Sequence, residues 1–227
     1  MSRVLPYNAK KWEIPAILDG RKTVTRRLVK PQPVLNEGFW TIGGAAWSDG
    51  VKRLHAVIGH SLYNRQPYQP GDILYVRETW SHDVGGCYIH RASYKEDFTE
   101  NTDIDAVGNK IKWHPSIHMP KEAARIWLKV TDVRVERLQD ITEDGAVAEG
   151  IYKSNCRNCN APFGCDACPD EGYDELDAFV ELWDSTIKKS DLDRYGWDAN
   201  PYVWVVEFEC CEKPEQWKGE KDGKRII

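Results

Sequence analysis

The sequence predicts an α+β fold built on a small β-barrel with long insertions. Three observations carry this. Alternating apolar and polar residues mark strands at Ile73 to Glu78, Ala124 to Leu138 and Tyr202 to Glu209. A helical period marks Tyr173 to Lys188, where Leu176, Phe179, Val180 and Trp183 fall at i, i+3, i+4 and i+7. The two kinds of segment follow one another without the strand–helix–strand rhythm of a parallel sheet.

Taken in order, Tyr7 to Asp19 reads as a short helix with Trp12, Ala16 and Ile17 as its apolar stripe. Pro15, a few residues in, delays its start or kinks it. Thr23 to Val29 reads as a strand that Pro31-Gln32-Pro33 ends. Residues 34–66 hold glycines, Trp40, Trp47 and few regular signals, and read as an insertion with a hairpin around Asp49-Gly50. Pro70-Gly71-Asp72 turns the chain into the strand from Ile73. Residues 81–112 read as a second insertion, with a strand at Tyr88 to Tyr94. In the long run from Ala124, Ile126, Leu128 and Val130 alternate with Trp127, Lys129 and Thr131. Thr142 is placed to N-cap a short helix with Glu143 and Asp144 in its first turn, where the helix dipole favours negative charge, and Gly150 ends it. The closing strand puts Tyr202, Trp204, Val206 and Phe208 on one face. Residues 1–212 are expected to form a single domain, with 213–227 a polar tail.

With 227 residues, 41% hydrophobic and 30% charged, the composition is that of a globular chain. No apolar run approaches the roughly 18 residues of a membrane span. The first residues, MSRVLPYNAKKWEIP, lack the apolar core of a secretory signal, so no membrane contact and a cytoplasmic location are expected. The net charge of −5 argues against broad gripping of duplex DNA, whose affinity rests on phosphate neutralisation. It leaves room for a local basic contact, and Arg21, Lys22, Arg26, Arg27 and Lys30 lie within ten residues. Ten tryptophans and ten tyrosines supply rings that stack on bases or fill a core.

The densest chemistry is in Gly20-Arg21-Lys22-Thr23-Val24-Thr25-Arg26-Arg27, at a helix-to-strand turn. Glycine allows the positive φ of such a turn, and the cations behind it can converge on an anionic or polar group. The same residues also suit a plain helix end, with Arg21 and Lys22 complementing the dipole.

This stretch resembles the Gly-x-Lys-x-x-(Glu/Thr)-x-Arg signature of ASCH domains, with Gly20, Lys22, Thr25 and Arg27 on its fixed positions. Leu138 to Ile151 (LQDITEDGAVAEGI) resembles the segment that brings the family's catalytic glutamate, which falls on Glu149, and Tyr202 to Phe208 resembles its closing strand. The pieces YQPGDILYVRETW, PSIHMPKEAARIWL and WDANPYVWVVEF are similar to those of a larger, phage- and prophage-borne ASCH group. The resemblance implies a PUA-like (ASCH) barrel with flanking helices. Threonine at position 25 resembles the small bacterial members that hydrolyse N4-acetylcytidine. Lys22, Thr25 and Glu149 are then the expected catalytic residues, and Arg21, Arg26, Arg27, Arg77 and Trp80 the expected substrate contacts. The partner implied is a modified nucleoside or single-stranded RNA. Other functions within the resemblance are a non-catalytic reader of modified RNA and a ribonuclease, in which the 2′-hydroxyl would be the nucleophile.

For amide hydrolysis the site needs a nucleophile, a base, a proton for the leaving amine and an oxyanion donor. Thr25 can attack or hold a water. Lys22 can act as base if burial or neighbouring cations favour its neutral form. Glu149 can relay protons. It sits at a helix C-terminus, where the dipole opposes its charge and calls for a cation partner. Arg27, on Thr25's strand face, can contact substrate or lock Glu149. On an ideal strand Lys22 and Thr25 point to opposite faces, so convergence needs the turn at Gly20 to run through Lys22. Tyr75 and Glu78 are secondary lining candidates. The six histidines form no recognisable triad or metal spacing, since Pro115 and Pro120 break any helix through His114 and His118.

Cys156, Cys159, Cys165 and Cys168 form two Cys-x-x-Cys pairs in a third insertion at 153–172. Two chelating pairs joined by turn residues suit a closed tetrahedral zinc site of structural kind, so Zn2+ is expected there and no cofactor for catalysis. Disulfides suit an oxidising compartment, and iron–sulfur ligation fits the short spacing less well. Cys87, Cys210 and Cys211 read as plain free cysteines.

Overall fold

The computed structural model describes residues 2–36, 39–42, 45–47, 65–93, 107–151 and 175–215. Along the chain these form strands β1 (Val4–Asn8), β2 (Val24–Leu28), β3 (Val34–Asn36), β4 (Phe39–Ile42), β5 (Ala45–Trp47), β6 (Ile73–Arg77), β7 (Trp80–His82), β8 (Tyr88–His90), β9 (Trp127–Arg137) and β10 (Tyr202–Cys211). The α-helices are α1 (Glu13–Leu18), α2 (Glu143–Ala148), α3 (Glu175–Thr186) and α4 (Leu192–Tyr195). The fold class is α+β, with parallel and antiparallel strand pairs. The chain divides into two compact units: residues 1–20, 71–130 and 209–227 in one, 21–70 and 131–208 in the other.

In the first unit the strand order is β1-β6-β9, with β1 parallel and β9 antiparallel to β6. Tyr7 belongs to a strand, not to the expected helix: it pairs with Val76. Long-range pairing overrides local propensity in this short stretch. The helix starts at Glu13, so Pro15 lies in its first turn, where the missing N–H costs nothing. Trp12 ends up outside the helix and 37% exposed. Gly20 closes α1 at φ 78°. Buried Glu13 accepts from the Tyr7 hydroxyl at 2.9 Å and the Lys10 amide at 2.6 Å. Tyr75, Trp80, Met119, Ala123, Ala124 and Trp127 form an apolar cluster. Only Tyr88 to His90 of the expected second-insertion strand is extended; a 3-10 turn over Arg91–Ser93 follows, and Tyr94 lies outside the described residues.

In the second unit β2 pairs antiparallel with β10, and the order is β9-β10-β2. Strands β3, β4 and β5 pair antiparallel in that order; the expected hairpin at Asp49-Gly50 lies outside the described residues. Val24, Leu138, Ile141, Ala146, Ile151, Phe179, Trp183, Val203 and Val205 make one core, closed by α2 and α3. Each large side chain buried there contributes roughly 1.5–3 kcal/mol. Val203 to Val206 are all buried, so both faces of β10 are covered at this level. Among the described residues, neither strand order closes into a barrel.

Candidate functional site

Residue 149 is placed by α2. The Thr142 hydroxyl accepts from the Gly145 amide at 3.1 Å, as its N-cap position requires. Gly150, at φ 86°, turns the chain away, leaving Glu149 as the C-cap. The end of this helix meets the start of β2, where the Thr23 amide donates to the Ala148 carbonyl at 2.9 Å.

Lys22 fills that junction. Its Nζ donates to the Glu149 carbonyl at 2.7 Å, to Glu149 Oε2 at 2.9 Å and to the Val24 carbonyl at 2.9 Å. It therefore acts as a cationic cap on α2 and as partner to the carboxylate. Three oxygen acceptors thus surround the Lys22 nitrogen. The second carboxylate oxygen, Oε1, accepts from Arg26 Nη1 at 3.2 Å. The side chains of Lys22, Arg26 and Glu149 are 1%, 5% and 7% exposed.

The lock on Glu149 is thus Arg26, not Arg27. On β2, Val24 and Arg26 share the face packed against α2 and α3, and the Arg26 guanidinium lies 5.9 Å from the Phe179 ring centre. The alternation of an apolar and a basic residue was the available signal, because the apolar partner marks the buried face. Thr25, 5% exposed and paired with Val206, leaves the strand on the opposite face, together with exposed Arg27. The strand begins at Val24, so Lys22 precedes it and the face rule does not separate Lys22 from Thr25. Its ammonium bonds the carbonyl of the peptide group that leads into Thr25.

Arg21 is half-buried beside Lys22 in sequence. Arg77 and Trp80 belong to the other compact unit. There Arg77 donates to the Tyr75 hydroxyl at 2.9 Å and the Ile117 carbonyl at 3.1 Å, and Trp80 stacks on His114 at 4.9 Å. Glu78 is held by Arg125 through two bonds of 2.7 and 2.8 Å, a pairing across 47 positions that no sequence pattern announces. The four clustered cysteines lie outside the described residues, and among the described residues no three metal-ligating side chains converge. Cys87, Cys210 and Cys211 are free thiols.

The arrangement offers a buried carboxylate with each oxygen held by one cation, beside a buried hydroxyl-bearing strand. Arg26 Nε is buried without an acceptor, a condition that costs about 1–3 kcal/mol in a folded protein.

No helix among the described residues is long and apolar enough to cross a membrane. No family model matches the chain, and no curated protein matches it. Among solved structures, the chain is similar to the ASCH domain from Lactobacillus crispatus JV V101, known from a high-resolution crystal structure. That alignment covers 92% of this chain and 79% of the other, at 11% identity and a TM-score of 0.40.

Proposed function

We propose that the chain is an ASCH-type amidohydrolase that removes the acyl group from N4-acetylcytidine or a related N4-acylated cytosine, as a nucleoside or in RNA. One observation carries this reading. The sequence resemblance pairs Lys22 with a glutamate 127 positions away, and these two side chains meet at 2.9 Å in a buried site.

In this reading Glu149 is the proton relay and Lys22 orients it while stabilising its charge. Water, held by the Thr25 hydroxyl or following attack by that hydroxyl, adds its oxygen to the acyl carbon. The carbon–nitrogen bond breaks, and the exocyclic amine leaves with a proton returned by Glu149. The products are the free cytosine amine and a carboxylate. The site uses no metal-bound water.

Chromatography of N4-acetylcytidine incubated with pure protein tests the proposal. Cytidine and acetate should appear. Thr25→Ala should slow turnover by roughly 10²–10⁴-fold, while Thr25→Ser keeps much of it. If no N4-acylated cytosine turns over, the hydrolase reading fails, and RNA binding by the intact protein would then favour a non-catalytic module.

A further inference from the structure

We propose that the β7–β8 hairpin of the first unit presents a stacking surface for an unpaired segment of nucleic acid. The surface does not rest on the hydrolase reading, whose Lys22, Thr25 and Glu149 belong to the other unit.

Strand alternation gathers the rings. His82 on β7 pairs directly with Tyr88 on β8, and Trp80 lies two residues before His82 on the same face. Trp80 is the anchor, 9% exposed, with the His82 and Tyr88 rings edge-on to it at 5.2 and 5.7 Å. On the other edge of β7, His114 exchanges backbone hydrogen bonds with Trp80 at 3.2 and 2.8 Å and stacks on the indole at 4.9 Å. The outer pair faces water. Tyr88 is 40% exposed and His82 is exposed too, with ring centres 4.8 Å apart at an angle of 36°. A cross-strand pair of rings also supports its hairpin. Here the turn has support of its own, because Asp83 Oδ1 accepts from the Gly85 and Cys87 amides at 2.9 and 2.7 Å. The rings are thus held in place before any ligand arrives, which lowers the ordering cost of binding.

Charge selects the partner. Residues 80–91 and 110–114 carry the cations Arg91, Lys110 and Lys112, all exposed, in a chain whose net charge is −5. Their single carboxylate, Asp83, is already engaged by the two turn amides. The acids of residues 94–106 lie outside the described residues. The Lys112 carbonyl accepts from Ser81 Oγ at 2.9 Å, which ties that lysine's backbone to the strand carrying His82. Exposed rings beside a few cations suit unpaired bases on a phosphodiester chain. A duplex hides its base faces and is gripped by many phosphate contacts, which three cations do not supply.

The test is fluorescence anisotropy of a labelled oligouridylate of about ten nucleotides, titrated with the full chain over a range of salt. A duplex of the same length, phosphatidylserine vesicles and sedimentation of the protein alone are the other arms. Saturable binding of the single strand is expected, weakened about tenfold or more in Tyr88→Val, which removes the ring and keeps strand propensity. Lys112→Gln alters an exposed position and should lower the logarithmic salt slope by about 0.7, a result that serves even if Tyr88→Val does not fold. The inference is overturned if wild type binds no single strand, if folded Tyr88→Val binds it as wild type does, or if Lys112→Gln leaves the slope unchanged. Tighter binding of the duplex overturns it as well, as does a Tyr88 ring that governs vesicle attachment or self-association instead. Strand binding without turnover of any N4-acylated cytosine would sustain this inference and sink the hydrolase reading; turnover without strand binding would do the reverse.

Discussion

Buried Glu78 in the first compact unit and buried Glu149 in the second are held in opposite ways. Glu78 gives both oxygens to one guanidinium, Arg125, whose side chain is 30% exposed. The Nε/Nη2 edge is filled by this one carboxylate, and the cation keeps contact with water. Glu149 gives one oxygen each to Lys22 and Arg26, and both cations are almost wholly enclosed. Both oxygens of Glu78 are thus taken by the matching edge of a single guanidinium. A carboxylate stretched between two buried cations leaves donor capacity unspent and sets a proton acceptor among fixed charges. Under the proposed hydrolase reading, the contrast separates a fastening from a site, although both are buried acid–base pairs.

The largest expected effect tests that separation directly. Glu149→Gln should cut hydrolysis of N4-acetylcytidine by roughly 10²–10⁴-fold, whereas Glu78→Gln should leave kcat within about twofold. Stability should follow the same division. Glu149→Ala strands two enclosed cations and should cost roughly 3–5 kcal/mol by urea unfolding. Glu78→Ala leaves Arg125 able to turn to water and should cost about 1–3 kcal/mol. Equal losses of activity from the two glutamine variants would erase the distinction.

A second effect concerns the cysteine pairs that follow Glu149 in sequence. We propose that Cys156, Cys159, Cys165 and Cys168 hold one zinc ion, and elemental analysis of protein purified without added metal should find about one per chain. Chelation should then raise hydrogen exchange around α2 and leave β1 and β6, beside Glu78, unchanged. Zinc near zero, with intact disulfides by mass spectrometry, would end this proposal.

The smallest effect is confined to the first unit. Burial pushes the Cys210 and Cys211 thiols up, with Glu209 and Cys210 itself adding to the shift at Cys211. The reactive thiolate is thus scarcer at neutral pH and becomes plentiful only as pH rises past the ordinary thiol range. Peptide mapping after brief iodoacetamide treatment at pH 7 should show exposed Cys87 modified ahead of both, with the gap narrowing as pH rises. Faster labelling of Cys211 at pH 7 would contradict that order.

Much of the second unit was legible from local chemistry. The Thr142 cap, the Gly150 stop, the extended run of β10 and the apolar spacing of α3 are each set by neighbours a few residues apart, whereas the expected one-face alternation of β10 gives way to burial on both faces from Val203 to Val206. The pairing of Lys22 with Glu149 came through resemblance, since spacing across 127 positions carries no geometry. Judging the strand face from Thr25 points to Arg27 as a partner for Glu149; Val24, enclosed in the core, shows that the face meeting the helices is the one carrying Arg26. In the first unit, Tyr7 and Asn8 read as helix because the parallel partner β6, which makes them a strand, lies some seventy residues on.

The place Lys22 occupies has a consequence for how the chain behaves in company. Among the described residues β2 ends its strand order, and such an edge normally offers unpaired carbonyl and amide groups to any extended segment of another molecule. Here the Thr23 amide is taken by the end of α2, and the Val24 carbonyl by the lysine ammonium. The charged group that serves the site also blunts the strand against sticking to its own kind. A chain that lost Lys22 would lose that guard at the same stroke, so aggregation and inactivity would arrive together from one substitution.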